Sequence, residues 1–164
     1  MNIALCGFMG CGKTCIGREI AKATGRKLVD TDELIEKEQK VTISQIFADK
    51  GEDFFRELEF EMCKKAAEMK DTIISTGGGA MTFQRNVDAI KKGATVVFLD
   101  ADFDTICKRV GDGATRPLFK NRENAKKLYD ERREKYIAAA DIIVNGNESP
   151  AKIASEIIRQ CRQY

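Results

Sequence analysis

The sequence predicts a three-layer α/β/α domain built on a five-stranded parallel sheet. Short runs rich in Ile, Val and Leu alternate with helical stretches from one end of the chain to the other, the order that gives parallel strands joined by covering helices. The first of these runs leads directly into a glycine-rich loop and then a helix. The 164 residues are 43% apolar and contain no repeat, linker or low-complexity stretch, so one core of ordinary size accounts for them.

Strands are expected over residues 2–6, 27–29, 72–75, 95–99 and 142–144, each short and apolar enough to be read as buried. The stretch 14–24 has apolar residues at Ile16, Ile20 and Ala21 and stops at Gly25, a suitable C-cap. Thr42-Ile43-Ser44-Gln45 has the form of a capping box opening a short helix. Gly51 then separates that helix from a longer one over 53–69. Ser149-Pro150 sets a capping hydroxyl before a first-turn proline, and Ile153, Ile157, Ile158 and Cys161 mark one face of the last helix. The segment Gly111-Asp112-Gly113-Ala114-Thr115-Arg116-Pro117 breaks the alternation and is read as a mobile flap.

Composition excludes several classes of protein. With no histidine, neither a Ser-His-Asp relay nor an HExxH zinc site can be built, and acid-base work falls to Asp, Glu, Lys, Tyr or Cys. The net charge of +2 is spread along the chain and makes no electrostatic case for a nucleic-acid partner. The basic run 126–135 is interrupted by Asp130, Glu131 and Glu134 and reads mainly as a solvated helix face. No apolar stretch approaches the roughly 20 residues of a membrane span, and no export signal is read at the N-terminus. The six cysteines include no C-x-x-C pair and are expected as reduced thiols, with Cys11 placed where it could react.

Gly7-Phe8-Met9-Gly10-Cys11-Gly12-Lys13-Thr14 matches G-x-x-x-x-G-K-[ST] at every fixed position, between an expected strand and an expected helix. The glycines let successive N–H groups turn inward on phosphate oxygens, Lys13 neutralises the β- and γ-phosphates, and the Thr14 hydroxyl can ligate magnesium. The next strand ends in Asp30-Thr31-Asp32. Two residues apart on an extended chain, both carboxylates would point towards the loop, one towards a metal and the other towards an attacking hydroxyl. Helix capping by either is the plainer alternative. Thr76-Gly77-Gly78-Gly79 follows the third strand, and three glycines in a row exceed what a turn needs. They permit close backbone approach to a ligand. No aspartate follows Ile73-Ile74, which leaves the Asp30–Asp32 pair as the better metal candidate. Arg56 can pair with a substrate carboxylate or simply with a neighbouring glutamate, while Arg116, with Arg132 or Arg133, can clamp anions.

Together these motifs resemble the shikimate kinase family over almost the whole chain and in the family's order: the phosphate loop, D-T-D at 30–32, F-R at 55–56, T-G-G-G at 76–79, R-P-L at 116–118 and R-x-x-x-Y at 132–136. The resemblance implies a P-loop NTPase fold of the nucleoside monophosphate kinase type, with a lid at about 111–122 and a shikimate-binding helical region at about 31–60. It implies transfer of the γ-phosphoryl of ATP to the 3-hydroxyl of shikimate. Asp32, Lys13 and Arg116 would then be catalytic. Gly10, Cys11, Gly12, Lys13, Thr14, Cys15, Arg109, Arg116 and Asn145 would hold ATP. Phe47, Phe55, Arg56, Gly77, Gly78, Gly79 and Arg132, with Asp32, would hold shikimate. One magnesium ion would sit on Thr14 and Asp30. ATP and shikimate would be the partners of a cytoplasmic monomer. The chain departs from the family at 144–150, where Val-Asn-Gly-Asn-Glu-Ser-Pro replaces V-D-A-x-Q/N-x-P, and at Phe119, where a leucine is usual. A gluconate or nucleoside monophosphate kinase of the same architecture is the runner-up. A nucleotide-binding module without catalysis is the third reading.

Overall fold

The computed structural model describes residues 1–111 and 121–162. Its strands are β1 (Asn2–Cys6), β2 (Lys27–Asp30), β3 (Thr72–Ser75), β4 (Ala94–Asp100) and β5 (Ile142–Asn145). Seven α-helices lie among the described residues: α1 (Lys13–Thr24), α2 (Thr31–Gln39), α3 (Ile43–Ala67), α4 (Gln84–Lys91), α5 (Phe103–Val110), α6 (Arg122–Ala139) and α7 (Pro150–Cys161). A 3₁₀ turn at Ala80–Thr82 precedes α4. The expected flap falls largely on 112–120, outside the described residues, and Arg116 with it.

All five strands are parallel in the order β2-β3-β1-β4-β5. The register sets Asp30 beside Ser75, Leu5 beside Ser75, Cys6 beside Phe98 and Asp100 beside Asn145, so the carboxyl ends form one edge of the sheet. The chain leaves β1 between β3 and β4, the switch point where parallel sheets open a crevice for ligands. Ile3, Ala4, Leu5, Ile73, Ile74, Val96 and Val97 are buried at the sheet's centre. The edge strands depart from the expectation of full burial: β2 is half-exposed, and β5 alternates, with Ile143 48% exposed, because an edge strand is covered on fewer sides.

The end signals behave as local physics requires, with one difference. Gly25 takes the left-handed conformation at φ 74° and its N–H donates to the Ala21 carbonyl. Ser149 Oγ accepts from the Lys152 N–H ahead of Pro150. Thr42 Oγ1 accepts from the Gln45 N–H at 3.1 Å, but the Gln45 amide donates forward to Asp49 Oδ2 at 2.8 Å, so only half of the capping box forms. Gly51, at φ 83° and ψ 174°, breaks the helical backbone and divides α3 at a kink into the short and the longer helix expected. A small second core of Ile35, Ile46, Phe55 and Met62 joins α2 to α3. No helix among the described residues is long and apolar enough to cross a membrane.

Candidate active site

The loop between β1 and α1 curls through two residues in the left-handed region, Gly10 at φ 84° and Gly12 at φ 99°, where a side chain would be strained. α1 therefore begins with no side-chain cap and no acidic residue in its first turn. Its N–H groups and positive end are left for an anion. Lys13 folds back across the loop and donates to the Gly7 carbonyl at 2.7 Å and the Phe8 carbonyl at 3.3 Å. Cys11 is buried under this lysine with its Sγ 3.9 Å from Nζ, while Cys15 is exposed.

A cavity of about 370 Å³ lies over this loop, lined by Gly10, Gly12, Lys13, Thr14, Cys15, Asp30, Asp32, Gly77 and Gly78 among others. The two aspartates reach it differently from the expectation. β2 gives way to α2 at Thr31, so Asp30 and Asp32 do not share an extended segment. Asp30 is the N-cap of α2, its Oδ1 accepting from the Asp32 and Glu33 N–H groups at 2.9 and 3.1 Å. Asp32 is swung to the cavity by the first helical turn. Its Oδ1 is buried with no hydrogen-bond partner among the described residues. Burial, reinforced by the charges of Asp30 and Glu59, pushes its carboxyl from the usual 3.8 up to about 6, although Lys13 pulls the other way.

Each glycine after β3 faces one charged side chain. A Cβ on Gly77 would stand 2.5 Å from Asp32 Oδ1, and one on Gly79 would stand 2.9 and 3.0 Å from the two terminal nitrogens of Arg56. A Cβ on Gly78 would meet Arg132 Nη1 at 3.4 Å. The run is held in place by motif residues to which the sequence reading gave no role. Thr31, between the two aspartates and fully buried, accepts the Gly77 N–H on its Oγ1 at 3.0 Å. Thr76 donates through its hydroxyl to the Leu5 carbonyl, and Tyr136 donates to the Gly78 carbonyl. Thr31 was legible in D-T-D and Tyr136 in R-x-x-x-Y, each without a role.

Of the two sequence readings of Arg56, the glutamate pairing is present: Nη1 binds Glu59 Oε1 at 2.9 Å, with Glu59 1% exposed. The guanidinium also lies 4.9 Å from the Phe83 ring and 5.3 Å from the Phe55 ring, and it remains against Gly79. Phe55 belongs to the second core, and Phe47, 38% exposed, packs on it at 4.8 Å; neither lines the cavity itself. The two adjacent arginines of α6 are separated by their partners. Arg133 makes a two-pronged pair with Asp100 at 3.0 and 2.8 Å, while Arg132 faces the glycine run. On the opposite flank Arg109 ties the Cys11 carbonyl at 3.1 Å to the Glu148 carbonyl at 3.2 Å. Asn145 turns its Oδ1 to the Asn147 N–H.

A phosphate loop at the switch point of a parallel sheet, sharing a cavity with a buried carboxylate and lying beside a glycine run that two arginines face, defines a P-loop phosphotransferase of the small-molecule kinase class. The family model described as shikimate kinase matches residues 9–162. A shikimate kinase of Persephonella marina is 40% identical over 98% of this chain and 99% of its own. Among solved structures, shikimate kinase from Aquifex aeolicus is 36% identical with a TM-score of 0.84, over 99% of this chain and 97% of that one. Shikimate kinase from Acinetobacter baumannii in complex with shikimate is 30% identical with a TM-score of 0.90, over 99% and 93%. The chain belongs to the shikimate kinase family.

Proposed function

We propose that this kinase transfers the γ-phosphoryl of ATP to the 3-hydroxyl of shikimate, releasing ADP and a proton. The observation that carries the reading is the glycine run, whose three residues stand under Asp32, Arg132 and Arg56 in turn beside the phosphate loop. A cyclic acid fits such a pocket: its ring approaches bare backbone, its carboxylate meets two guanidinium groups and its hydroxyl meets Asp32. Phe47 and Phe55 form an apolar wall at the ring's flank.

The loop N–H groups from Gly10 to Cys15 and the Lys13 ammonium hold the phosphates, and Arg109 and Asn145 flank the nucleotide base. Asp32 accepts the hydrogen bond of the attacking hydroxyl and takes its proton as the bond to phosphorus forms, a task suited to a carboxyl titrating near neutrality. Lys13 and Arg116 stabilise charge on the transferring group, for which positioning and electrostatics matter more than covalent chemistry. Thr14 and Asp30 would hold the magnesium ion. Both line the cavity, they offer the hard oxygen donors that magnesium prefers, and the Asp30 cap engages only one carboxylate oxygen. When bound, the ion neutralises phosphate charge. The whole chain is read as one domain, with a lid at about 111–122 and an acceptor region at about 31–60, working as a cytoplasmic monomer.

A coupled ADP-release assay with ATP and a panel of acceptors tests this. Turnover is expected with shikimate, lost on chelating divalent metal, and negligible with gluconate or nucleoside monophosphates. Preferential turnover of either of those acceptors would overturn the assignment.

A further inference from the structure

Asn86 is a buried amide to which the chemistry above gives no task. It stands in the first turn of α4 and is 1% exposed. Its Nδ2 donates to the Ala80 carbonyl at 2.8 Å, just past the glycine run, and to Glu59 Oε1 on α3 at 3.4 Å. Its Oδ1 is buried without a partner among the described residues. An unpaired buried acceptor costs stability, so an amide is a poor choice here unless its donor has work to do.

That work is visible one bond further on. The Glu59 oxygen that receives the amide is the one that binds Arg56 Nη1 at 2.9 Å. Besides Phe55 and Glu52 on its own helix, the Arg56 guanidinium is bounded by Gly79 and the ring of Phe83, both from the short segment that ends at Asn86. Glu59 and Arg56 lie three residues apart on one helix and could swing together. The amide ties the pair to the glycine run. Burial pushes the Glu59 carboxyl up, and the donors Arg56 and Asn86, with Arg132 nearby, pull it back towards the charged form that Arg56 requires.

We propose that Asn86 is a positioning residue that anchors Glu59 and so keeps Arg56 aimed at the carboxylate of the acceptor. This rests on the reading that Arg56 takes that carboxylate. Asn86 acts on acceptor binding and not on the nucleotide, since its hydrogen bonds reach neither the phosphate loop nor Arg109.

Asn86→Asp keeps the size of the side chain and removes the NH₂ donor; Asn86→Ser keeps a hydroxyl for Ala80 but is too short to reach Glu59. KM for shikimate and for ATP and kcat are measured, together with the preference for shikimate over its uncharged methyl ester. In both variants KM for shikimate is expected to rise about tenfold, as for loss of one hydrogen bond to a charged group. KM for ATP should stay within about twofold, and the preference for acid over ester should fall by the same factor as KM for shikimate rises. An unchanged acid-to-ester preference, or a loss shared by ester, acid and ATP alike, makes Asn86 merely structural and overturns the inference. If Asn86→Asp does not fold, as judged by its melting curve, Asn86→Ser decides. Arg56→Ala runs in parallel: if it leaves the acid-to-ester preference intact, the reading of Arg56 fails. If it abolishes that preference while the Asn86 variants retain it, only the role of Asn86 fails.

Discussion

Replacing Asp32 with asparagine should abolish turnover and at the same time raise the melting temperature. The Asp32 carboxyl is held at about 6 in the fold, against 3.8 for an exposed aspartate, mainly because its charge is buried. Above pH 6 the side chain is ionised in both folded and unfolded chains, and the fold carries the whole penalty, roughly 3 kcal/mol for that difference. Below 3.8 it is protonated in both and the penalty is gone. Asparagine is neutral throughout, but it gives up a negative charge in the first turn of α2, worth about 1 kcal/mol at most. The net gain at pH 7 is about 2 kcal/mol, or a rise of about 4–8 °C for a chain of this length. Melting curves without nucleotide at pH 7 and pH 4 read both the size and the sign: the gain should be present at pH 7 and largely lost at pH 4. Turnover with shikimate should fall by about 100-fold or more, the contribution of a positioned base. A variant that melts below the parent at pH 7, or gains equally at both pH values, would refute the burial argument.

Two further substitutions separate residues that look equivalent in the sequence. Arg132→Ala should raise KM for shikimate at least tenfold with little change in melting, while Arg133→Ala, which breaks the two-pronged pair with Asp100, should lower the melting temperature by a few degrees and leave KM for shikimate nearly unchanged. The reverse pattern would exchange the two roles. Asp30→Asn keeps an equally good cap for α2, so its melting curve should match the parent's, yet the magnesium concentration giving half-maximal rate should rise several-fold. An unchanged magnesium dependence would make Asp30 a cap and nothing more.

The parts of the fold legible in the sequence are those whose causes are local. Gly25, Thr42, Ser149 and Gly51 act within one turn of chain, and the structure differs from their reading only where the Gln45 amide found Asp49 instead of the cap. The phosphate loop is of the same kind, since its glycine angles, its lysine and the start of its helix lie within eight consecutive residues. Exposure of the edge strands was not legible, because Ile143 has the composition of a buried strand and its surroundings are set by what the sheet lacks beside β5.

The acceptor side depended on distance in the chain. Asp32 and Gly77, Arg56 and Gly79, and Arg132 and Gly78 are each separated by at least 23 residues, and only the order β2-β3-β1 together with α6 folding back onto the run brings them together. Helical rotation separates Arg132 from Arg133: about 100° per residue turned one towards the glycines and gave the other to Asp100. By itself the sequence determined the alternation of strands and helices, the anion-binding loop and, through the absence of histidine, a chemistry run on lysine, arginine and carboxylate. The tertiary structure decided which carboxylate is buried and raised, which arginine lies against the glycine run, and that Asn86 ties Glu59 to that run. Desolvation and charge pairing depend on neighbours in space, and no local pattern records them.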